Sequence, residues 1–421
     1  MQLDEDWLVR QGEDAALLRS VDAAFDDPLP DRLGIAISGG GDSMALLHLC
    51  SRWSLQTGHE IAAVTVDHGL RPESRAEARG VAQFCETLQI KHDILIWSGA
   101  GEGNIPAAAR DARYALMADW AQANGVGVIA LGHTSDDGAE NFVMRLGRAA
   151  GLDGLAAMQD KFTRNGVRWL RPLTHHSRAC LRDYLRRHDI GWVDDPSNDD
   201  PRYTRTKARA ALRALEPLGI GADSIAHSAN ALRQSREALA HYTRIEAAAH
   251  LREEAGDIVI PQRISPAIPA DIERRLFVAA VHWVGSNPYP PRKSGAGALA
   301  EALMHRPRLT VAGCLVIRHK GIFRITREYN SVKNYCGPTD AVWDNRWRLT
   351  GPHAPDLEVR ALGEGLRSLP EWRETGLPRP TLMASPAVWR GETLVAAPLA
   401  GYNPDWSAQI VADFTSFLLS H

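Results

Sequence analysis

The sequence predicts an α/β fold built on a doubly wound parallel sheet, followed by a helical middle domain and a small, mainly β, C-terminal domain. Three observations predict it. Short apolar runs alternate with helical patterns through the first half of the chain, the rhythm of a parallel sheet covered on both faces. A glycine turn, Ser38-Gly39-Gly40-Gly41-Asp42-Ser43, directly follows the first of those runs. From about Gly219 the rhythm stops, and alanine-rich helical stretches and then strand pieces broken by Gly and Pro replace it. The expected boundaries are 1–217, 218–329 and 330–421.

Taken in order, residues 3–26 have helical spacing, with Leu8, Leu17, Leu18 and Val21 as the apolar positions. Residues 32–38 read as a buried strand, then the glycine turn, then a helix beginning Met44-Ala-Leu-Leu-His-Leu49. A second strand at 60–66 ends in Asp67-His68-Gly69, followed by a helix at 74–88 and a strand at 93–97. Asn104 can cap the next helix, with Pro106 tolerated in its first turn. A strand at 126–131 leads through Gly132-His133-Thr134 into a helix at 136–148. A further strand is expected at 167–172 and a helix at 177–188. Ligands of such folds bind beyond the carboxyl ends of the strands, and Ser38, Asp67 and His133 each follow one. Past Gly219, residues 223–255 and 269–284 read as helices with no strand alternation, 286–295 as a proline loop, and 310–326 as a hairpin turning near Lys320-Gly321. Trp343, Trp347, Leu349 and Val359 fall in short strand-like pieces.

A chain of 421 residues is long enough for two or three domains. Its 44% hydrophobic and 24% charged residues are ordinary globular values. The net charge of −3 does not announce a nucleic-acid binder. Residues 168–213, however, hold 11 Arg/Lys against 6 Asp/Glu, interleaved with Trp169, Tyr184, Trp192 and Tyr203. That pattern suits phosphate contact with base stacking, or a solvated helical face. Five scattered cysteines without a Cys-x-x-Cys pair argue against a zinc ribbon, an iron–sulfur site or a disulfide framework, and fit reduced thiols in a cytoplasmic protein. No apolar run approaches the roughly 20 residues of a membrane span, and the acidic N-terminus is unlike a signal peptide.

The glycine turn carries the chemistry. Gly39, Gly40 and Gly41 let the backbone fold tightly, and successive amides at a helix start form a nest for anionic oxygens. No Gly-Lys-Ser/Thr follows, so this is not a Walker loop. Asp42 instead sets a carboxylate beside the phosphates, an arrangement that suits a bridging Mg²⁺. The bland alternative is a plain strand–helix connection. Downstream, Asp137, Asn141 and Arg145 share one helix face, with Asp136 and Glu140 beside it. Those carboxylates suit Mg²⁺ or an attacking amine, or else helix capping and i,i+4 pairing. Arg110 and Arg113, three apart, can clamp a phosphate or form surface ion pairs.

Ser38–Ser43 resembles the pyrophosphate loop of the N-type ATP pyrophosphatases, the PP-loop superfamily. Together with Val66–Ser74, Asn104–Tyr114, His133–Glu140, Gly151–Leu155 and Trp192–Arg209, it resembles the tRNA(Ile)-lysidine synthases over about the first half of the chain. Gly138 stands where that family has Gln, Asn141 where it has Thr, Ala149-Ala150 where it has Gly-Ser, and Thr206 where it has Asn. The resemblance implies a Rossmann-like PP-loop domain, with tRNA-binding domains after it. It implies ATP and Mg²⁺, an isoleucine tRNA with a CAU anticodon and free L-lysine as partners, and leaves a homodimer open. The implied reaction adenylates C2 of the wobble cytidine and then joins lysine to it, giving lysidine. It further implies ATP contact by Ser38, Gly39, Gly40, Gly41, Asp42 and Ser43, and catalytic roles for Asp42, Arg113, His133, Asp136, Asp137 and Glu140. Arg110, Arg145 and Arg205 are the implied RNA or substrate contacts, and Asp42 and Asp137 the Mg²⁺ ligands. Alternatives are a PP-loop tRNA thiolase, an amidating ligase, or a nucleotide- or RNA-binding regulator without turnover. A thiolase usually needs paired cysteines, which this chain lacks.

Overall fold

The computed structural model describes residues 13–25, 30–67, 69, 74–97, 105–194, 202, 204–261, 268–287, 307–319 and 321–420. Leu8, His68, Asn104, Tyr203, Lys320 and most of the proline loop at 286–295 lie outside the described residues. The chain forms two units, 1–236 and 237–421.

In the first unit, β1 (Arg32–Ala36), β2 (Glu60–Asp67), β3 (Lys91–Ile96), β4 (Val128–Leu131), β5 (Lys161–Arg164) and β6 (Val167–Leu170) make one sheet, ordered β3-β2-β1-β4-β6-β5. Every pairing is parallel except that of the edge strand β5 with β6. The sequence reading has no β5. Asn165 and Gly166 both take positive φ, 52° and 74°, and fold β5 back as a hairpin. Around the sheet lie α1 (Glu13–Ala24), α2 (Gly41–Thr57), α3 (Ser74–Thr87), α4 (Ile105–Ala123), α5 (Ser135–Leu146), α6 (Leu152–Leu155), α7 (Arg178–Arg187) and α8 (Thr204–Leu215).

The sheet is buried on both faces, which is why its strands read as continuous apolar runs. Leu33, Ile35 and Ile37 pack with Leu17 of α1, Leu46 of α2 and Tyr184 of α7. Ala36, Val64 and Ile129 face Tyr114, Met117 and Trp120 of α4. Fully burying a Leu or Ile contributes about 1.5–3 kcal/mol, so these two layers hold the sheet in place. The chain winds outward from β1 through β2 to β3, then returns to β4 on the other side of β1. That reversal opens a crevice at the carboxyl ends of β1 and β4.

The second unit departs from the helical reading of the middle segment. β7 (Arg252–Glu254), β8 (Asp257–Pro261), β9 (Arg308–Val311), β10 (Cys314–His319) and β11 (Ile322–Arg327) form an antiparallel sheet ordered β7-β8-β11-β10-β9. The helices α9 (Ala222–His250) and α10 (Ala270–Gly285) match the expected ones, but α9 stops short of Ala255. Ala255 and Gly256, at φ 51° and 78°, make a two-residue turn that pairs β7 with β8, overriding the helical propensity of Arg-Glu-Glu-Ala. A Cβ on Gly256 would meet the Trp347 ring. The expected hairpin is β10–β11. Further on, β12 (Cys336–Pro338), β13 (Trp347–Thr350), β14 (Glu358–Ala361), β15 (Pro386–Arg390), β16 (Thr393–Ala396) and β17 (Ser407–Ile410) give a four-stranded sheet, β12-β14-β15-β16, and the pair β13–β17. Trp343, Trp347, Leu349 and Val359 share its buried cluster. Among the described residues no helix is long and apolar enough to cross a membrane.

Candidate active site

Beyond β1 the chain turns at Gly39, whose φ of +82° favours glycine, and enters α2 with Gly40 as its N-cap. Ser43 ties the turn together. Its Oγ donates to the Gly40 carbonyl at 2.9 Å and accepts from the Ser38 amide at 3.1 Å. The Gly40 carbonyl also takes the Ser43 and Met44 amides, at 3.1 and 3.0 Å. Among the described residues the amides of Gly40, Gly41 and Asp42 have no protein acceptor. They are the donors a helix N-terminus leaves for an anion. The end of β4 presses against this start: a Cβ on Gly132 would stand 2.9 Å from the Asp42 carbonyl oxygen.

The turn opens on a cavity of about 750 Å³ lined by Ser38, Gly40, Gly41, Asp42, Ser43, Arg113, His133, Asp136, Asp137 and Arg205 from the predicted set. Gly39 and Glu140 are buried just behind it. Arg178, at the start of α7, is the centre of the charged groups. Its Nε lies 3.2 Å from Asp42 Oδ2, its Nη1 3.2 Å from Glu140 Oε1 and its Nη2 3.4 Å from Asp137 Oδ1. The Arg178 amide donates to Asp136 Oδ2 at 2.7 Å. Two α8 arginines complete the cluster: Arg205 Nε is 2.8 Å from Glu140 Oε2 and its Nη2 3.3 Å from Asp137 Oδ1, while Arg209 Nε is 2.7 Å from Glu140 Oε1. Three guanidinium groups thus balance three carboxylates from α2 and α5.

Asp137 takes the capping role that the sequence offers as the alternative. It closes a capping box with Thr134, accepting the Thr134 amide at 3.0 Å, and its other oxygen meets Arg178 and Arg205. Both of its oxygens are therefore engaged within the protein. Asp42 differs: its Oδ1 is sealed from solvent and has no hydrogen-bond partner among the described residues. Burial pushes the Asp42 carboxyl above its ordinary range, although Arg178 pulls the other way. Burial also acts on Asp137, but Arg205, His133, Arg178 and the Thr134 amide outweigh it and hold that carboxyl low. One carboxylate oxygen, Asp42 Oδ1, is thus left for a hard cation, which would need its other donors from a bound ligand or water. Among the described residues no group of three or more His, Cys, Asp or Glu could hold a metal by itself.

Three predicted residues stand elsewhere. Asp67 does not line the cavity; its Oδ1 accepts the Gly69 amide at 2.9 Å and Ser74 Oγ at 2.6 Å, securing the turn into α3. Arg110 is exposed on α4, its guanidinium 5.4 Å from the Tyr114 ring centroid. Arg145 is exposed and donates to the Gly154 carbonyl at 2.8 Å, beside a separate small cavity that Gly138 and Asn141 also line.

A PP-loop domain family matches residues 14–215. The tRNA(Ile)-lysidine synthase of Ruegeria pomeroyi is 45% identical over 410 residues, 96% of this chain and 98% of its own. The chain belongs to the tRNA(Ile)-lysidine synthase family. The tRNA(Ile)-lysidine synthase of Wolbachia pipientis is 32% identical across 89% of this chain and 90% of its own, and that of Zymomonas mobilis 41% identical across 64% and 80%.

In this member of the tRNA(Ile)-lysidine synthase family, sequence reasoning missed Arg178 and the other α7 arginines of the cavity, Arg182 and Arg186, along with Arg213 of α8. The only sequence signal was the local excess of positive charge between 168 and 213. His133 was anticipated at the strand end, but not its state. Burial, with Arg171, Arg113 and Arg110 nearby and only Asp137 opposing, drives its pKa down to about 3. Its Nδ1 is sealed and has no partner among the described residues. His133 is therefore neutral at pH 7. Because the folded value lies below the unfolded one of 6.5, its contribution to stability is present above pH 6.5 and is lost as pH falls toward 3. The His133 ring resonances should not titrate between about pH 5 and 8 in an NMR series. A midpoint near the ordinary histidine value would contradict this burial.

Proposed function

We infer that this chain is a tRNA(Ile)-lysidine synthase, a ligase that joins lysine to C2 of the wobble cytidine of an isoleucine tRNA with a CAU anticodon, converting ATP to AMP and diphosphate. The observation that carries the reading is likeness at 45% identity along 96% of the chain and 98% of the relative. In the first step the cytidine O2 attacks the α-phosphorus of ATP and diphosphate leaves. In the second, the lysine ε-amine attacks C2, the bond to the adenylate oxygen breaks, AMP departs and the amine gives up its protons. The base then pairs with A instead of G.

The amides of Gly40, Gly41 and Asp42, which have no protein acceptor among the described residues, are proposed to take, with the α2 N-terminus, the diphosphate charge that builds as the bond breaks. Asp42 Oδ1 is the proposed Mg²⁺ ligand, and the bound ion would neutralise phosphate charge there. Asp136, Asp137 and Glu140 are the candidate acceptors for the lysine ammonium, which must lose a proton before it can attack. Arg113 and neutral His133, which also line the cavity, are proposed to hydrogen-bond the adenylate. Arg110, Arg145 and Arg205 are proposed RNA contacts. Segments 218–329 and 330–421 are proposed to grip the tRNA body as two domains after the catalytic domain 1–217. We place the enzyme in the cytoplasm, with a homodimer as the assembly to test by light scattering.

Of the alternatives, the thiolase gains no support from the cysteines: among the described residues Cys50, Cys85, Cys180, Cys314 and Cys336 form no disulfide, and Cys50, Cys85 and Cys314 are buried. Nucleoside analysis of tRNA from cells lacking the gene decides the matter. Lysidine should disappear, with unmodified cytidine in its place; lysidine at normal levels would overturn the assignment. ATP–pyrophosphate exchange by the purified protein should likewise require tRNA.

A further inference from the structure

Arginines recur at every fourth position on both helices that wall the cavity: Arg178, Arg182 and Arg186 on α7, and Arg205, Arg209 and Arg213 on α8. Residues four apart lie on one helix face, about 6 Å from rung to rung. Each helix therefore presents a ridge of guanidinium groups to one cavity. The ridges meet at Glu140, which contacts Arg178, Arg205 and Arg209. From there the α7 ridge rises to the surface, its side chains 21%, 37% and 61% exposed in turn. The inner arginines are matched by carboxylates of the catalytic cluster. The outer ones are not so held. Among the described residues the ion pairs of Arg182 and Arg186 are with the surface carboxylates Asp194 and Asp183, pairs that contribute little in water, and Arg213 is exposed. Half-buried Trp192 stands between, its ring centroid 5.9 Å from the Arg182 guanidinium and 5.8 Å from that of Arg186.

We propose that the outer rungs, Arg182, Arg186 and Arg213, form a track for consecutive phosphates of a single RNA strand leading into the cavity, with Trp192 as a stacking surface for a base beside the target. The inference rests on the reading that the substrate is a tRNA. If the target base sits in the cavity, its neighbours' phosphates must lie at the mouth, where these guanidinium groups are. A regular ladder of cations suits a regularly charged polymer, and an aromatic face among them suits unpaired bases rather than a duplex.

The test is the salt dependence of binding of a synthetic anticodon stem-loop with cytidine at the wobble position. Each phosphate contact to a single strand contributes about 0.7 to the slope of log affinity against log salt. Arg186→Ala and Arg213→Ala should each flatten the slope by about that amount. Together they should lower affinity at moderate salt about tenfold or more, and Arg186→Lys should restore the slope. Affinity for a non-hydrolysable ATP analogue should not change. Slopes equal to wild type would overturn the track and leave the outer arginines as a solvated face. A loss of ATP-analogue affinity instead would make them a triphosphate clamp and equally overturn it. A wild-type protein that fails to bind the stem-loop at all would sink the tRNA reading itself, which separates the two failures.

Discussion

Replacing Asp42 with alanine should lower tRNA-dependent turnover at least about a thousandfold, equivalent to about 4 kcal/mol of transition-state stabilisation, and leave the protein folded. The asymmetry follows from how the two carboxylate oxygens are used. Oδ2 shares Arg178, which keeps Asp137 and Glu140 as partners after the substitution. Oδ1 has no hydrogen-bond partner among the described residues, so the substitution breaks no bond there. Burial already opposes the charge on this side chain, so its loss relieves a cost of folding while breaking one ion pair. The melting temperature should therefore stay within a few degrees of wild type. The readout that separates a metal role from general damage is ATP binding with and without Mg²⁺. Wild type should bind more tightly with the ion, and Asp42→Ala should be indifferent to it. Turnover within tenfold of wild type would remove Asp42 from the chemistry.

The parallel core was legible because burial on both faces writes uninterrupted aliphatic runs into β1, β2 and β4. What escaped was structure set by two-residue turns. The β5–β6 and β7–β8 hairpins depend on positive φ at Asn165-Gly166 and Ala255-Gly256, and the second sits inside a helical composition. The site divides in the same way. Ser38, Asp42 and His133 follow strands that end at the reversal of sheet order, so topology alone puts them at the crevice. Asp67 also follows a strand, but β2 lies on the far side of β1 from β4, and its carboxylate is spent on a turn. Arg178 could not be found this way. It reaches Asp42 across 136 residues of chain, from a helix start where the dipole disfavours a cation. The three carboxylates that meet it, Asp42, Asp137 and Glu140, explain its position. The helical spacing of Asp137, Asn141 and Arg145 was real, but the face it defines is split between two cavities: Asp137 lines the large one, Asn141 and Arg145 the small one.

The other large effect is expected at Glu140, and there it should fall on stability as well as on activity. The Glu140 side chain is 1% exposed and touches three arginines, two of them from α8, which packs along α5. Glu140→Gln keeps the shape but removes the charge, and its amide group turns a donor toward guanidinium donors. Uncompensated buried charge of this kind costs about 3–5 kcal/mol. For a unit of this size that corresponds to a fall in melting temperature of roughly 10 °C, measurable by calorimetry. Removing a neighbouring cation should restore part of the loss. Arg209→Met in the Glu140→Gln background should be less harmful than the two single changes added together, giving a coupling energy of about 1–3 kcal/mol. Strict additivity would mean that the arginines find other partners and that Glu140 does not hold α8 in place. Activity should not follow stability in that double variant. If Glu140 also accepts the lysine ammonium, turnover should stay low after the fold is rescued, and the KM for lysine should rise more than the KM for ATP.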